Sequence, residues 1–417
     1  MRTIGVAWVL VQTTVTLAGD WRQFRGPTGQ GIAEEKSLPL EWSANKNIVW
    51  KLKLPGAGAS SPVILGNRIY LTAYSGYALD VKEPGKMEDL KRHLLCVDRA
   101  KGTVLWSKDF APQLPEHKYA GEGSYHGYAA NTPVTDGERL YVFFGKSGVY
   151  CFDLDGKELW HTPVGKGMSG WGSGASPTLY KDLLIVNASV ESQSLIALDK
   201  RDGKEKWKAA KIGSAWGMPI LVTTPAKQTE LVLSMAGRVA GFDPDTGREL
   251  WSAAGHKGYV CPSVVTHDGI VYAIGGGGTS LAIKSGGRGD VTETHVLWRT
   301  NKGSNASSPI YRGGFLYWAS EGGGIIHRQN AGTGEATTKR LMPDAGRIWG
   351  SPILAGGMLY FVSQFNGVYV VTADEKLETV ARNFFEDDKS RSNASLAVAD
   401  GQLFLRNDSH LYCIGMK

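Results

Sequence analysis

Arg347 to Ser363 reads RIWGSPILAGGMLYFVS: an aromatic residue, small residues, a Ser-Pro, and a β-rich run broken by a Gly-Gly turn. Near-copies of this phrase recur along the chain. SSPVILGNRIYL falls at Pro62, NTPVTDGERLYV at Pro133, ASPTLYKDLLIV at Pro177, GMPILVTTPAKQTELVL at Pro219, CPSVVTHDGIVYA at Pro262 and SSPIYRGGFLYW at Pro309. A last copy, NASLAVADGQLFL, has Ser395 in place of the proline. The intervals are 71, 44, 42, 43, 47, 43 and 43 residues, so the phrase occurs eight times.

Each copy opens a unit of the same design. A β-rich run follows the proline. Next come a turn such as Gly66-Asn67, Asp136-Gly137 or Gly356-Gly357 and a run of alternating β-branched and aromatic residues, which is a hairpin pattern. A third run, such as LIALD at Leu195–Asp199, leads through a turn to a fourth ending in Trp. Four short strands repeated about every 43 residues make a propeller blade, so an all-β, eight-bladed β-propeller of four-stranded antiparallel blades is predicted. NIVWK, ending at Lys51, has no hairpin ahead of it, and the final unit stops at LYCIGMK without a fourth strand. The N-terminal strand is therefore expected to complete the last blade and cover its open edge.

Turn chemistry accounts for the recurring Asp and Gly. Asp98, Asp153, Asp199 and Asp243 can accept backbone N–H bonds, while Gly102, Gly156, Gly203 and Gly247 tolerate the positive φ of a tight turn. Trp50, Trp106, Trp160, Trp207, Trp251 and Trp298 are read as structural rings wedged between blades, each indole N–H seeking a backbone acceptor. The pattern degrades at KSGGRGDVTETH before Trp298, and the units ending QNAGTGEATTKRL and TADEKLETV lack the Trp. Arg288-Gly289-Asp290 and the GGGGTS run after Ile274 are read as loop and blade turn, the latter lacking the Lys and helix of a phosphate cradle.

Residues 1–19 carry one basic residue, a short apolar stretch and small residues at Ala18 and Gly19, the pattern of a secretory leader. The expected organisation is a signal peptide over 1–19, an N-terminal extension over 20–44 and the propeller over 45–417, exported to the periplasm or beyond. No other stretch reaches the ~18 apolar residues of a membrane span, and no Cys follows the leader to carry a lipid. The net charge of +6 is scattered rather than clustered, which argues against a nucleic-acid track. Cys96, Cys151 and Cys413 share one repeat position with Ala197 and read as small core residues; Cys261 precedes Pro262. A monomer is expected.

Residues just before each proline should ring one mouth of the central channel. They are His126 and Tyr128, Trp171, Trp216, Tyr259, Asn305, Trp349 and Arg391, an unusually aromatic set for convergent loop ends. Two long insertions, 74–92 and 110–127, belong to the same face, where loops longer than their connection requires often carry function. The sequence alone supports no Ser-His-Asp order and no His-rich metal spacing. His126, His256, His267 and His327 lie in different units and read as solvated.

The A-x-D-x-x-x-G-x-x-x-W motif of Ala197 to Trp207 resembles the pyrroloquinoline-quinone-like propeller repeat of quinoprotein dehydrogenases and BamB-like propellers, over roughly residues 45–417. DWRQFRGPTGQG at Asp20 is similar to the start of secreted quinone-binding-like members. Two functions follow from the resemblance. One is a non-catalytic exported binding or scaffold module that holds a protein or small-molecule partner through the loop-rich face. The other is a quinoprotein alcohol or sugar dehydrogenase with the quinone in the channel on Trp171, Trp216 or Trp349, Arg391 nearby, and Ca²⁺ held by carboxylate and amide oxygens. An adjacent Cys-Cys pair and an evident Asp/Glu set for the metal are missing, and nothing aims Glu191 or Glu386-Asp387-Asp388 at the channel. Binding is therefore the preferred expectation.

Overall fold

The computed structural model describes residues 19–80, 82–121, 123–341 and 344–416. The predicted leader thus lies outside the described residues, apart from Gly19. Eight antiparallel sheets follow one another along the chain as the blades of a propeller. Blade 1 comprises Val63–Leu65, Arg68–Ser75, Lys91–Asp98 and Thr103–Phe110, and blades 2 to 7 repeat this order after their own prolines. Ile48–Lys53 joins Ala397–Ala399, Gln402–Arg406 and His410–Ile414 as the fourth strand of blade 8, with Trp50 opposite Cys413 and Leu52 opposite Leu411. The chain's beginning and end therefore close the ring as expected.

Blade 3 shows why the repeat has its pattern. Its third strand, Ser194–Asp199, is buried at every position because each face meets a neighbouring blade, whereas along Glu205–Ala210 only Trp207 is buried. The core consequently lies between blades; Tyr141, Val149 and Trp160 of blade 2, for instance, pack on Leu184 and Ile196 of blade 3. Cys96, Cys151 and Cys413 are buried there as free thiols, pushed up to about 12 by desolvation.

Each blade Trp reaches the turn of the next blade. Indole N–H groups donate to backbone carbonyls from Trp50 to Arg99 (2.7 Å), Trp106 to Leu154 (3.2 Å), Trp160 to Lys200 (3.2 Å), Trp207 to Pro244 (3.0 Å) and Trp298 to Ala331 (2.8 Å). The turn glycine of that next blade lies against the ring: a Cβ on Gly247, where φ is +72°, would sit 2.4 Å from Trp207. Trp251 departs from the pattern. Gly289–Asp290, read from sequence as a chance loop, pairs in parallel with Trp251–Ser252 as a fifth strand of blade 4. Its indole instead donates to Glu230 Oε2 at 2.7 Å, a buried carboxylate that also accepts from Gly286 N–H and Arg288 at 3.1 Å each.

The N-terminal extension crosses the face opposite the aromatic loops. Trp21 bridges Ile64, the Arg22 carbonyl accepts Thr135 N–H (3.0 Å), Gln30 Oε1 accepts Thr266 N–H (3.0 Å), and Ile32 bridges Leu354. Arg25, fully buried, donates to the carbonyls of Gln30 (2.9 Å) and Pro309, and burial pulls its guanidinium down to about 9. The extension thereby ties five blades together across the axis. No helix among the described residues is long and apolar enough to cross a membrane.

Trp207→Ala is expected to lower unfolding free energy by about 3–5 kcal/mol, and Gly247→Ala by roughly 1–3 kcal/mol from backbone strain alone. Urea titrations read both. An unchanged midpoint for Gly247→Ala would show that the turn accommodates a methyl group against the ring.

Candidate functional site

Hydroxyl side chains at the start of the blades form a belt around the axis; most stand just before a proline, but Ser263 follows Pro262 and Ser395 has no proline beside it. Ser61 N–H donates to Thr132 Oγ1 (2.9 Å), and Thr132 N–H to Ser176 Oγ (3.1 Å). Further round, Met218 N–H donates to Ser263 Oγ (2.9 Å), Ser263 N–H to Ser308 Oγ (3.0 Å) and Ser308 N–H to Ser351 Oγ (3.0 Å). Ser351 N–H donates to Ser395 Oγ (2.9 Å), and Ser395 N–H returns to Ser61 Oγ (3.1 Å). Every bond runs from one blade to the next in the same sense. Only the step from Ser176 to blade 4 lacks a hydroxyl, because Met218 stands there. Ser351 is thus held in the scaffold even though it also lines the axial cavity.

That cavity, of about 140 Å³, opens among the aromatic loops. Trp171, Trp216 and Tyr259 build one wall: ring centroids lie 4.1 Å apart for Trp171 and Tyr259, 5.8 Å for the two Trp, and 6.4 Å for Trp216 and Tyr259. Trp216 is fixed by its indole N–H to the Gly172 carbonyl (2.9 Å) and its backbone N–H to the Val260 carbonyl (2.7 Å). His126, Asn305 and Trp349 also line the space, so six of the mouth residues named from sequence converge. Burial pulls the His126 imidazole down to about 4, leaving it neutral near pH 7.

Tyr128 and Arg391 lie apart from the lining. Tyr128 is buried between the two insertions, with Tyr74 edge-on at 5.3 Å and its hydroxyl donating to the His117 carbonyl at 2.8 Å. Arg391 pairs with Asp408 at 3.0 Å and donates to the Ser124 carbonyl at 2.7 Å. Conversely, Phe24 and Glu321 line the cavity unforeseen. Phe24 arrives from the extension, outside the repeat. Glu321 sits between the second and third strands of blade 6, and Asn305 Nδ2 donates to its Oε2 at 2.6 Å.

Two expectations about histidine are corrected. His256 and His327 are buried rather than solvated, and burial pulls both down to about 4; His327 stacks on Trp318 at 4.8 Å. A Ser-His-Asp series does exist: Ser75 Oγ lies 2.7 Å from His93 Nε2, and His93 Nδ1 2.8 Å from Asp109 Oδ1. It spans three neighbouring strands of blade 1. Ser320 and His327 repeat the Ser–His contact at 2.7 Å in blade 6, which marks it as a strand-end latch.

Behind the Trp171 loop sits a buried acid. Glu191 is 4% exposed, its carbonyl accepts Gly167 N–H at 2.8 Å, and desolvation raises its carboxyl to about 7. Nearby, Arg92 and Glu116 form a buried ion pair at 2.7 Å that joins the two insertions.

The fold and its repeat define a propeller of pyrroloquinoline-quinone-like units. More narrowly, the chain belongs to the family described as outer membrane protein assembly factor BamB, whose profile matches residues 91–340. No curated protein matches it in sequence. Among solved structures, quinohemoprotein alcohol dehydrogenase from Comamonas testosteroni is 12% identical with TM-score 0.67, covering 96% of this chain and 81% of its own. BamB from Moraxella catarrhalis is 13% identical with TM-score 0.59, covering 88% and 99%. A europium-containing methanol dehydrogenase is 10% identical with TM-score 0.67, covering 96% and 99%. At such identities the likeness is one of fold.

The lining does not suit the quinone. Pyrroloquinoline quinone is a polycarboxylate, and the described lining contains no Lys or Arg. A Ca²⁺ bound beside it is ordinarily held by several oxygens with carboxylates among them, and the described lining offers one carboxylate, Glu321, alongside neutral Asn and Ser oxygens.

Ser351→Ala would strip the acceptor from the buried Ser308 N–H and is expected to cost about 1–3 kcal/mol, while Ser351→Thr retains it as Thr132 does. Equal loss in both variants by thermal unfolding would dismiss the belt. For Glu191, whose folded value of about 7 exceeds the ordinary 4.5, the folded chain holds the proton more tightly. Its contribution is complete below pH 4.5 and is lost as pH rises through 7. Glu191→Gln should flatten that stretch of the stability–pH curve; an unaltered curve would show that burial leaves the group unperturbed.

Proposed function

We propose that this chain is an exported, non-catalytic propeller, monomeric, with a leader over 1–19 and a propeller over 45–417, that holds a small molecule in its axial cavity. One observation carries the reading: an aromatic-walled cavity converges on the axis, and its described lining contains one carboxylate and a neutral imidazole. Small-molecule sites have this composition, mostly apolar walls with few placed polar groups. The same face exposes Leu79, Leu114, Met168 and Phe365, which supports contact with a protein partner around the mouth.

The dehydrogenase alternative has a direct test. Purified protein incubated with pyrroloquinoline quinone and Ca²⁺ is expected to retain no chromophore and to show no dye-linked alcohol oxidation; a stoichiometric chromophore would overturn the binding reading. Within that reading, Trp216→Ala should abolish ligand-dependent change in tryptophan fluorescence without lowering the unfolding midpoint as Trp207→Ala does. Equal destabilisation by both substitutions would reduce the wall to packing.

A further inference from the structure

Resting on the small-molecule reading above, we infer that the axial cavity selects an organic ammonium ion. Glu321 is the one charged side chain of the described lining, and it makes no ion pair among the described residues. Its hydrogen-bond partner, Asn305, is a neutral amide that orients the carboxylate without balancing its charge. In a cavity walled by aromatic rings the effective dielectric is lower than in water, so a charge without a counter-charge is costly. A cationic ligand supplies the missing charge, a neutral one leaves it unbalanced, and an anion is repelled.

The walls favour the same class. Indole and phenol faces carry negative quadrupoles that attract an ammonium group, Trp most strongly, and Trp171, Trp216, Tyr259 and Trp349 all line the space. His126 is neutral near pH 7 because it is buried, and Arg391 is turned away to Asp408 and the Ser124 carbonyl. Phe24 adds an apolar surface to the lining, so methyl groups on the ammonium would meet carbon rather than water.

The experiment titrates the full chain with three probes and follows tryptophan fluorescence: choline, its uncharged carbon isostere dimethylbutanol, and methyl glucoside. Choline is expected to bind at least about tenfold more tightly than the isostere, a ratio within reach of one ion pair with cation–π contact. Glu321→Gln should erase that ratio while melting with the wild type; if it fails to fold, the wild-type ratio decides by itself. Isostere binding equal to choline, or a preference that survives Glu321→Gln, overturns the inference. Methyl glucoside binding more tightly than choline would overturn it too, yet leave the cavity a small-molecule site. Binding of none of the three would also sink the ammonium assignment, and the Trp216→Ala comparison judges the wider reading separately.

Discussion

Five of the eight steps round this ring rest on a large indole laid across the turn glycine of the following blade. A four-stranded blade alone buries only part of its apolar surface, and its third strand needs a neighbour on each face. The Trp supplies that neighbour with area and a directional bond at once: carbon against the glycine, N–H to a turn carbonyl. The glycine is doubly constrained, by its positive φ and by the ring above it. Spacing between Trp and Gly therefore sets the distance between blades at those steps, whereas blades 6 and 7, which lack the Trp, pack on their following neighbours through aliphatic and aromatic core residues. Where the added strand of blade 4 displaces the arrangement, a buried carboxylate takes over the indole N–H.

Nearer the axis a second, lighter constraint operates. Each first strand is too short to hold its neighbour by packing alone, as Val134–Thr135 shows with only two residues. Serine hydroxyls satisfy the backbone N–H groups that point across the gaps, which would otherwise be buried without partners. Scaffold and cavity thus share residues. The hydroxyl-bearing positions hold the ring, and the aromatic positions two to five residues earlier are released to face the opening. The belt's missing bond falls between blades 3 and 4, directly where Trp171 and Trp216 build the wall and Met218 enters the lining.

What repeats was legible in the amino-acid sequence, and what happens once was not. Proline spacing, Asp-to-Trp turns and the orphan strand at Trp50 recur or complete a recurrence, so periodicity alone carried the eight blades and their closure. Six mouth aromatics and polar residues converge for the same reason: equivalent positions of a ring share an axis. Tyr128 and Arg391 hold such positions too, but the insertions fold over them, and insertion packing obeys no period. Phe24 enters from a segment with no counterpart elsewhere in the chain. Glu321 sits in a loop whose length varies from blade to blade. The Ser75, His93 and Asp109 series escaped because its members lie on three strands and are brought level only by sheet register.

The path of residues 20–44 bears on how the molecule is made. This segment leaves the ribosome before any complete blade, yet its partners include Pro309, Leu354 and Asn383, and the adjoining strand waits for His410–Ile414. This early segment is thus among the last to be seated. Such long-range closure is slow by its topology, and until it happens blade 8 keeps an open edge and the axis has no floor. The nascent chain must therefore pass through an open, incomplete ring, in which exposed strand edges are most vulnerable to pairing with another copy.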